Sequence, residues 1–403
     1  MSEHDIFPCM YEWLTDVDVS LAGNLRRWAD NEVMAKRLEL KEDYEQLLEP
    51  AMKQLFTEIG MQRLLWPEDH GGDGHNNPAA AYTMLAALEQ VARGDTGIAL
   101  LLSGIWALQS CIAMEGHVNE EACKALAPVF SSEDSLAVIS LVLPLFRDEP
   151  QAKAKHTKGA WTVEAKGARP IASGADATLF GVLCSLDGDG DDEVGLIALP
   201  ADAKGVKQGK PFLKTGLAAD RNADVNFSKV KAPEGMCIAK GLDACRGMLS
   251  WLYLGISAAN IGALFASYGI LKEWGDNRVI KGKNSIFKDN PLTAAVMAEV
   301  AKEIAVSRLL TCDLARILAE PAIYGPPGGE GNYVTACMVA HQVSQSAEKA
   351  INNAMEMMAS AGYATEWNLE RYWRDTKNMQ LCLGPYELAK MDFAHYFYQS
   401  QAR

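Results

Sequence analysis

Four long segments with helical periodicity make up the C-terminal part of the chain, and a β-rich stretch separates them from further helical segments on the N-terminal side. The four segments are residues 248–274, 292–318, 333–359 and 368–398. Their apolar pattern predicts four long helices. Residues 324–331 contain tandem prolines and glycines, which cannot continue a helix, and are predicted to be a loop. A helical region, a β-rich region and a C-terminal helix bundle follow one another along the chain. Few known folds have this order.

The N-terminal part is predicted to be helical up to about residue 130. Residues 44–59 and 78–91 repeat apolar side chains at three- and four-residue spacing, which indicates amphipathic helices. Residues 96–114 are almost continuously apolar, which predicts a buried helix.

The middle of the chain changes character near Ser131. Short β-branched or alternating runs between turn residues predict strands at 136–143, 161–165, 178–186, 193–199 and 224–227. The predicted fold is therefore α+β with three domains: an N-terminal helical domain (1–130), a middle β-barrel or sandwich domain (131–238), and a C-terminal four-helix-bundle domain (239–403).

Composition excludes several classes of protein. A net charge of −14 argues against nucleic acid as a partner. No apolar run approaches the roughly 18 residues that span a bilayer, so no membrane span is expected. Nine cysteines without a C-x-x-C pair predict reduced thiols in a cytoplasmic protein rather than disulfides or a zinc site.

Two isolated features are expected to be structural. The acidic run at 187–193 lacks the glycine and the glutamate that an EF-hand loop needs, and its D-G steps predict a hairpin turn between two strands. His341 stands alone inside an apolar helix, where a histidine is more often a satisfied structural residue than a catalyst.

The stretch from residue 358 to 387 combines three short motifs. A turn, A-S-A-G-Y at 359–363, is followed by E-R-Y-W-R-D at 370–375 and by L-G-P at 383–385. This arrangement resembles the flavin site of acyl-CoA dehydrogenases, where a G-G-x-G-Y/F turn and an E-R-x-x-R-D helix precede an E-G-T step. That step carries the family's catalytic glutamate, and Leu383 stands at its position.

The resemblance extends over most of the chain. Residues 59–74 resemble the P-E-x-x-G-G-x-G loop of the family's N-terminal domain, and 88–96 resemble the segment that lines its acyl pocket. Residues 167–174 and 216–233 follow motifs of its middle domain. Arg278 with Gly282 matches an R-x-x-x-G motif whose arginine reaches the FAD diphosphate in a neighbouring subunit.

The resemblance implies FAD as cofactor and acyl-CoA as substrate, with electrons passed to an electron-transferring flavoprotein. It also implies a homo-oligomer, or a hetero-oligomer with another acyl-CoA dehydrogenase subunit. The positions that match cofactor contacts are Val142, Ala172, Ser173, Arg278, Glu356, Ser360, Pro385 and Glu387. The positions that match substrate contacts are Leu252, Tyr253, Leu383 and Gly384.

The missing glutamate leaves three interpretations open. In the first, the chain is an FAD-dependent oxidoreductase of a bulky or cyclic acyl-CoA with a relocated base. Asp95 is the candidate base, although an aspartate before a buried helix is often a helix cap. Tyr253 and Tyr386 are further pocket candidates.

In the second interpretation, the chain is a non-catalytic subunit of a heteromeric acyl-CoA dehydrogenase. In the third, it performs a non-redox step on an acyl-CoA, such as desulfination or decarboxylation, with Arg147 or Arg221 holding an anionic substituent. Nothing in the residues selects the third over the other two.

Overall fold

The computed structural model describes residues 13–37, 45–144, 150–187, 194–282, 285–384 and 386–401. Within these ranges a helical N-terminal region is followed by a β-sheet and by a second, larger helical region. The predicted α+β fold with this domain order is confirmed. The domain boundaries 1–130, 131–238 and 239–403 remain predictions, although β8 ends only at Lys240 and the next helix begins at Leu242.

The N-terminal region consists of α-helices with π-helical continuations at Ala29–Ala35 and Gln54–Glu58. The helices are α1 (Asp16–Trp28), α2 (Glu45–Lys53), α3 (Ala80–Gly94), α4 (Thr96–Ala113) and α5 (Glu120–Phe130). Thr15 and Asp18 form a capping box that fixes the start of α1. Every residue of α3 is buried and α4 is almost entirely buried, as its apolar sequence predicts.

The β-region forms one sheet with strand order β6-β7-β3-β2-β4-β5-β8. The strands are β1 (Ile139–Val142), β2 (Ala152–Thr157), β3 (Ala160–Ala168), β4 (Leu179–Asp187), β5 (Val194–Pro200), β6 (Val206–Gln208), β7 (Val225–Pro233) and β8 (Cys237–Lys240). Strands β1 and β2 both run parallel to β4: Ile139 is paired with Leu179, and Ala152 with Cys184. They therefore lie end to end along the same edge of β4.

The C-terminal region is a bundle of long helices. Its helices are α6 (Leu242–Asn277), α7 (Pro291–Ala319), α8 (Pro321–Tyr324), α9 (Glu330–Met358), α10 (Leu369–Cys382) and α11 (Tyr386–Tyr398). The prediction of one helix over 368–398 is wrong, because α10 and α11 are separate. Gly384 takes φ +76° at the break, and the proline that follows it in the sequence disfavours helical backbone at the preceding residue.

Other details of the strand prediction also need correction. The short strands β2, β6 and β8 were not predicted. In β2 the buried positions are alanines alternating with exposed lysines, so no large apolar residue marks the pattern. The predicted hairpin is confirmed by the antiparallel pairing of β4 with β5, while residues 188–193 of its turn lie outside the described residues.

The prediction that no apolar stretch approaches the length of a bilayer span is wrong for α4 and α6. Both are long and apolar enough to cross a membrane by length and composition alone. In α4 94% and in α6 83% of the most apolar window is buried inside the protein. An average over a window tolerates the small and polar residues that interrupt a continuous apolar run, and core helices meet the same criterion.

Glycines on α6 let it approach α3 and α4 closely. A Cβ atom on Gly262 would lie 2.4 Å from the carbonyl oxygen of Glu89, and one on Gly255 would lie 2.6 Å from Ser103. These distances are shorter than side-chain contacts allow. The two glycines therefore set how tightly the N-terminal helices pack on the bundle.

Candidate functional site

Leu383, the position that matches the family's catalytic glutamate, forms the C-terminal cap of α10. Its N–H donates to the carbonyl oxygen of Gln380 at 3.3 Å, and its side chain is 8% exposed. Gly384, one of the matched substrate contacts, is exposed at the break before α11. Pro385 lies outside the described residues. A buried leucine can neither take nor give a proton, so this position supplies only apolar surface.

The turn at residues 171–173 lies directly against the end of α10. Cys382 donates its thiol to the carbonyl oxygen of Ile171 at 3.7 Å, and Ser140 Oγ donates to the carbonyl oxygen of Ala172 at 2.6 Å. Ser173 has φ +44°, and its N–H donates to Asp220 Oδ1. Ala172 and Ser173 are both buried. The carbonyl oxygens of Ile171 and Ala172 and the N–H of Ser173 are therefore hydrogen-bonded within the protein.

Asp220 is a buried carboxylate next to this turn. It forms an ion pair with Lys214 and accepts the Ser173 N–H. Burial raises the pKa of Asp220, and the ammonium group of Lys214 opposes that shift. Burial also raises the pKa of the nearby Cys382 thiol to about 12, and the charge of Asp220 adds to this shift. The turn is thus packed against an aspartate–lysine pair and a protonated thiol.

Asp95, the candidate base, serves as the N-cap of α4. Its Oδ1 accepts the Ile98 N–H at 2.8 Å, and its Oδ2 lies 2.7 Å from Arg371 Nη2 on α10. Both side chains are buried. Asp95 therefore caps helix α4. Abstraction of a proton by Asp95 would have to displace the Arg371 guanidinium, and its catalytic role stays a prediction.

Arg371 and Asp375 connect the three regions of the chain. Arg371 Nε lies 3.4 Å from Asp375 Oδ2, and Asp375 Oδ1 accepts the Leu217 N–H at 2.6 Å. Burial raises the pKa of Asp375 to about 6. The Arg371–Asp375 pair of α10 thus connects Asp95, at the start of α4, with Leu217 of the β-region.

The matched substrate contacts on α6 are buried. Leu252 is fully enclosed, and the Tyr253 ring lies 6.2 Å from that of Tyr333 on α9. Burial, followed by the neighbouring Tyr333, raises the pKa of Tyr253 well above its usual value. Tyr253 therefore keeps its proton at neutral pH and acts as a hydrogen-bonding or packing group.

The remaining matched cofactor contacts lie on the surface, with Val142 as the exception. Arg278 is exposed and its guanidinium lies 5.0 Å from the ring centroid of Trp274. Glu356, Ser360 and Glu387 are exposed as well. Val142 is buried in β1. The surface positions are open to a neighbouring chain, whereas Val142 belongs to the core.

Of the two arginines suggested for an anionic substituent, Arg221 is exposed and lies 3.0 Å from Asp176. Arg147 lies outside the described residues. Tyr386, the other aromatic candidate, begins α11, and its ring packs 5.0 Å from the His341 ring. The structure thus places Tyr386 beside the break that follows Leu383, and Arg221 on the protein surface.

Family models match both helical regions of the chain. The acyl-CoA dehydrogenase N-terminal domain matches residues 15–133, and the acyl-CoA dehydrogenase C-terminal domain matches residues 239–396. The chain belongs to the acyl-CoA dehydrogenase family. The two matches lie on either side of the β-region, in the domain order of the observed fold.

Other acyl-CoA dehydrogenases align with nearly the whole length of this chain. Bovine short/branched chain specific acyl-CoA dehydrogenase is 23% identical over 90% of this chain and 81% of its own. Butyryl-CoA dehydrogenase from Megasphaera elsdenii superposes with a TM-score of 0.78 at 19% identity, covering 96% of this chain and 99% of its own. A glutaryl-CoA dehydrogenase from Mycobacterium smegmatis in complex with FADH2 gives 0.76 at 18%, covering 97% of each chain.

FAD is the cofactor that this family implies, but the turn at 171–173 does not fit a flavin ring. Its carbonyl oxygens at 171 and 172 and the N–H at 173 are bonded to protein groups. The position of the family's flavin-facing threonine is Ala172, which has no hydroxyl. A buried carboxylate, Asp220, occupies the place next to it. The backbone groups that would face a flavin are therefore engaged by Cys382, Ser140 and Asp220.

Sequence reasoning missed the residues that close this site. Lys214, Asp220 and Cys382 meet at the turn, although they are distant from it in the chain. The one available signal was at Asp220 itself, where the family motif that matches residues 216–233 has a serine. A carboxylate in place of a small hydroxyl in a buried segment needs a cation, and Lys214 lies six residues before it.

Proposed function

We propose that this chain is an acyl-CoA-binding subunit of an acyl-CoA dehydrogenase assembly, and that proton abstraction takes place on a partner subunit of the same fold. The observation that carries the proposal is Leu383, which places a buried hydrocarbon side chain where the family has its base. The electron-transferring flavoprotein is the expected acceptor of electrons from such an assembly.

Dehydrogenation of an acyl-CoA requires a base for the α-proton and an acceptor for the β-hydride. Loss of a positioned base typically costs about 10² to 10⁴ in rate. The closed turn at 171–173 supports the same proposal, because redox chemistry in this family belongs to the cofactor and the protein supplies its binding and orientation. This chain contributes the walls of the acyl-binding site. Leu252 and Leu383 exclude water from the site, and Tyr253 offers a protonated hydroxyl.

The exposed position of Arg278 supports a role in an assembly. The family uses the matched arginine across a subunit interface, and here the guanidinium stands at the end of α6 on the aromatic face of Trp274. A cation held in this way is suited to a phosphate group presented by a neighbouring chain. Arg278 would then serve the partner's FAD even if this chain binds none.

The experiment is to purify the chain alone and together with a glutamate-bearing subunit of the same family. We expect the chain alone to be colourless, without the visible absorbance bands of a bound flavin, and to bind butyryl-CoA in calorimetry without reducing a dye. Stoichiometric flavin with turnover by the chain alone would contradict the proposal and favour a relocated base. Absence of any acyl-CoA binding would also refute it.

A matched variant tests the contribution of Arg278. Arg278→Met should leave butyryl-CoA binding by this chain unchanged and should lower the flavin content or the activity of the two-chain assembly. Arg221→Met, at another exposed arginine, which is paired with Asp176, is the control. If both variants behave like the parent assembly, Arg278 has no role across the interface.

A further inference from the structure

His341 is buried in the middle of α9 and its Nε2 atom has no hydrogen-bond partner within the described residues. Its side chain is only 4% exposed. A buried polar atom without a partner is unfavourable, and folded proteins satisfy nearly all such atoms. The sequence favours a structural role over a catalytic one for His341, and that role remains a prediction. The open nitrogen requires another explanation.

His341 lies beneath the break at which the family's base would stand. Its ring centroid is 5.0 Å from that of Tyr386, the first residue of α11. On the other side of the break, Gln380 Nε2 donates to the carbonyl oxygen of Ser344 at 3.1 Å. Ser344 follows His341 by one helical turn. Both ends of the break around Leu383 therefore rest on the same turn of α9.

A second unpartnered polar atom lies beside this turn. Asn260 on α6 donates from Nδ2 to Ser344 Oγ at 3.0 Å and to the carbonyl oxygen of Ile256 at 2.9 Å. Its Oδ1 has no hydrogen-bond partner within the described residues, and the residue is fully buried. Asn260 thus lies on α6, the helix that carries Leu252 and Tyr253, and His341 lies on α9 beneath the break around Leu383.

The charge of His341 restricts what it can bind. Burial lowers its pKa to about 4, so the ring is neutral at pH 7. A neutral imidazole nitrogen gives or accepts a hydrogen bond but cannot compensate a buried carboxylate. The Asn260 Oδ1 atom only accepts. A neutral group that can donate a hydrogen bond would satisfy either atom, and a hydroxyl meets these conditions.

We infer that His341 is a specificity-determining residue, which with Asn260 selects acyl groups that carry a hydroxyl over plain hydrocarbon and carboxylate chains. This inference rests on the proposed function, because it assigns a preference to the same acyl site. Sites that hydrogen-bond a substrate hydroxyl reject the analogue without it, since their own polar atoms are then left unpaired.

The experiment compares three CoA esters of equal chain length in calorimetry: hexanoyl-CoA, 6-hydroxyhexanoyl-CoA and adipoyl-CoA. Butyryl and octanoyl sets, each with the matching ω-hydroxy ester, cover shallower and deeper positions of the hydroxyl. We expect the best hydroxy ester to bind about tenfold more tightly than its hydrocarbon analogue, a difference of about 1.4 kcal/mol. Adipoyl-CoA should bind most weakly.

His341→Phe should reduce this preference to within about twofold while the hydrocarbon ester binds at least as well. Because the variant removes an unpartnered nitrogen, its melting temperature should not fall; if the larger ring prevents folding, His341→Leu replaces it. His395→Phe, at an exposed histidine of α11, is the matched control and should keep the preference.

A folded His341 variant that keeps the preference would overturn the inference, and so would a parent protein without a preference for any hydroxy ester. Both results leave the acyl-binding proposal intact if the hydrocarbon esters bind. If no ester binds to the parent protein, the proposed function fails and this inference fails with it.

Discussion

Arg371 on α10 and Asp95 at the start of α4 form a buried ion pair, with Nη2 and Oδ2 2.7 Å apart. The pair joins the N-terminal helices to the segment that ends at Leu383. Removal of one partner from a buried pair leaves an uncompensated charge, which costs about 3–5 kcal/mol. The residue that the sequence offered as a base is therefore a structural connection between two regions of the fold.

A double-mutant cycle on Asp95→Asn and Arg371→Met measures this connection by urea unfolding. Each single variant should lose about 3–5 kcal/mol, and the double variant should lose clearly less than the sum. Lys377→Met is the control on the same helix, because Lys377 and Glu348 lie 3.9 Å apart and the lysine is exposed; it should lose at most about 1 kcal/mol. Additive losses in the cycle would mean that the two side chains do not support each other.

Leu383→Glu restores a carboxylate at the family's base position. We expect no dehydrogenase activity from this variant alone, assayed with butyryl-CoA and a dye, because the turn at 171–173 still bonds to Asp220 and Cys382. The variant should also be less stable than the parent, since the leucine is 8% exposed and a new carboxylate there has lost most of its water. Turnover by Leu383→Glu would show that a base was the single missing element.

Asp375 should make the folded protein less stable as the pH rises, which is the opposite of the usual effect of a carboxyl group. Its folded-state pKa is raised to about 6, so the folded protein binds more protons than the unfolded chain between about pH 4 and 6. The contribution of Asp375 to the free energy of unfolding is fully present below the pKa that Asp375 has in the unfolded chain. This contribution is lost as the pH rises through 6. The stability of Asp375→Asn relative to the parent should therefore increase by about 1–3 kcal/mol from pH 4 to pH 7.

The control for this pH dependence is Asp276→Asn. Hydrogen bonds from Lys272 and Lys288 lower the pKa of Asp276, so its contribution is present at neutral pH and is lost on acidification. The stability of Asp276→Asn relative to the parent should change slightly in the opposite direction. Equal slopes for the two variants would contradict the assignment of the raised pKa to Asp375.

Gly262→Ala tests the close approach of α6 to α3. A methyl group there would lie 2.4 Å from the backbone oxygen of Glu89, which cannot rotate away, so we expect a loss of about 1–3 kcal/mol in thermal or urea unfolding. Gly275→Ala in the same helix is the control. Its nearest neighbour would be Lys288 Cβ at 3.8 Å, and it should gain about 0.5–1 kcal/mol from helix propensity. A tolerated Gly262→Ala would mean that the helices can separate at little cost.

The periodic parts of the fold were predictable from the sequence. Helix α4 is apolar at nearly every position, and its burial follows from that composition alone. The strands with large apolar residues, such as β4 and β5, were also predicted. Strand β2 was not, because its buried face consists of alanines and its pairing with β4 is decided by the sheet rather than by its own residues.

The candidate site was predictable in part. Motif positions located Leu383 and Asp95, and the helix cap at Asp95 followed from its place before an apolar run. Its ion pair with Arg371 was not predictable, because the two residues are far apart in the chain and meet only when α10 packs on α4. The same reason hid the contacts of Asp220 with Ser173 and of Cys382 with Ile171.

By itself the sequence determined the α+β order, the membership of the acyl-CoA dehydrogenase family and the absence of a carboxylate at position 383, since these depend on residue types at known spacings. The tertiary structure alone decided how polar atoms are paired. It engages the turn at 171–173 with protein groups, and among the residues that the structure describes it gives His341 Nε2 no partner. Such pairing depends on distances between distant segments, and those distances are set by packing and not by local residue pattern.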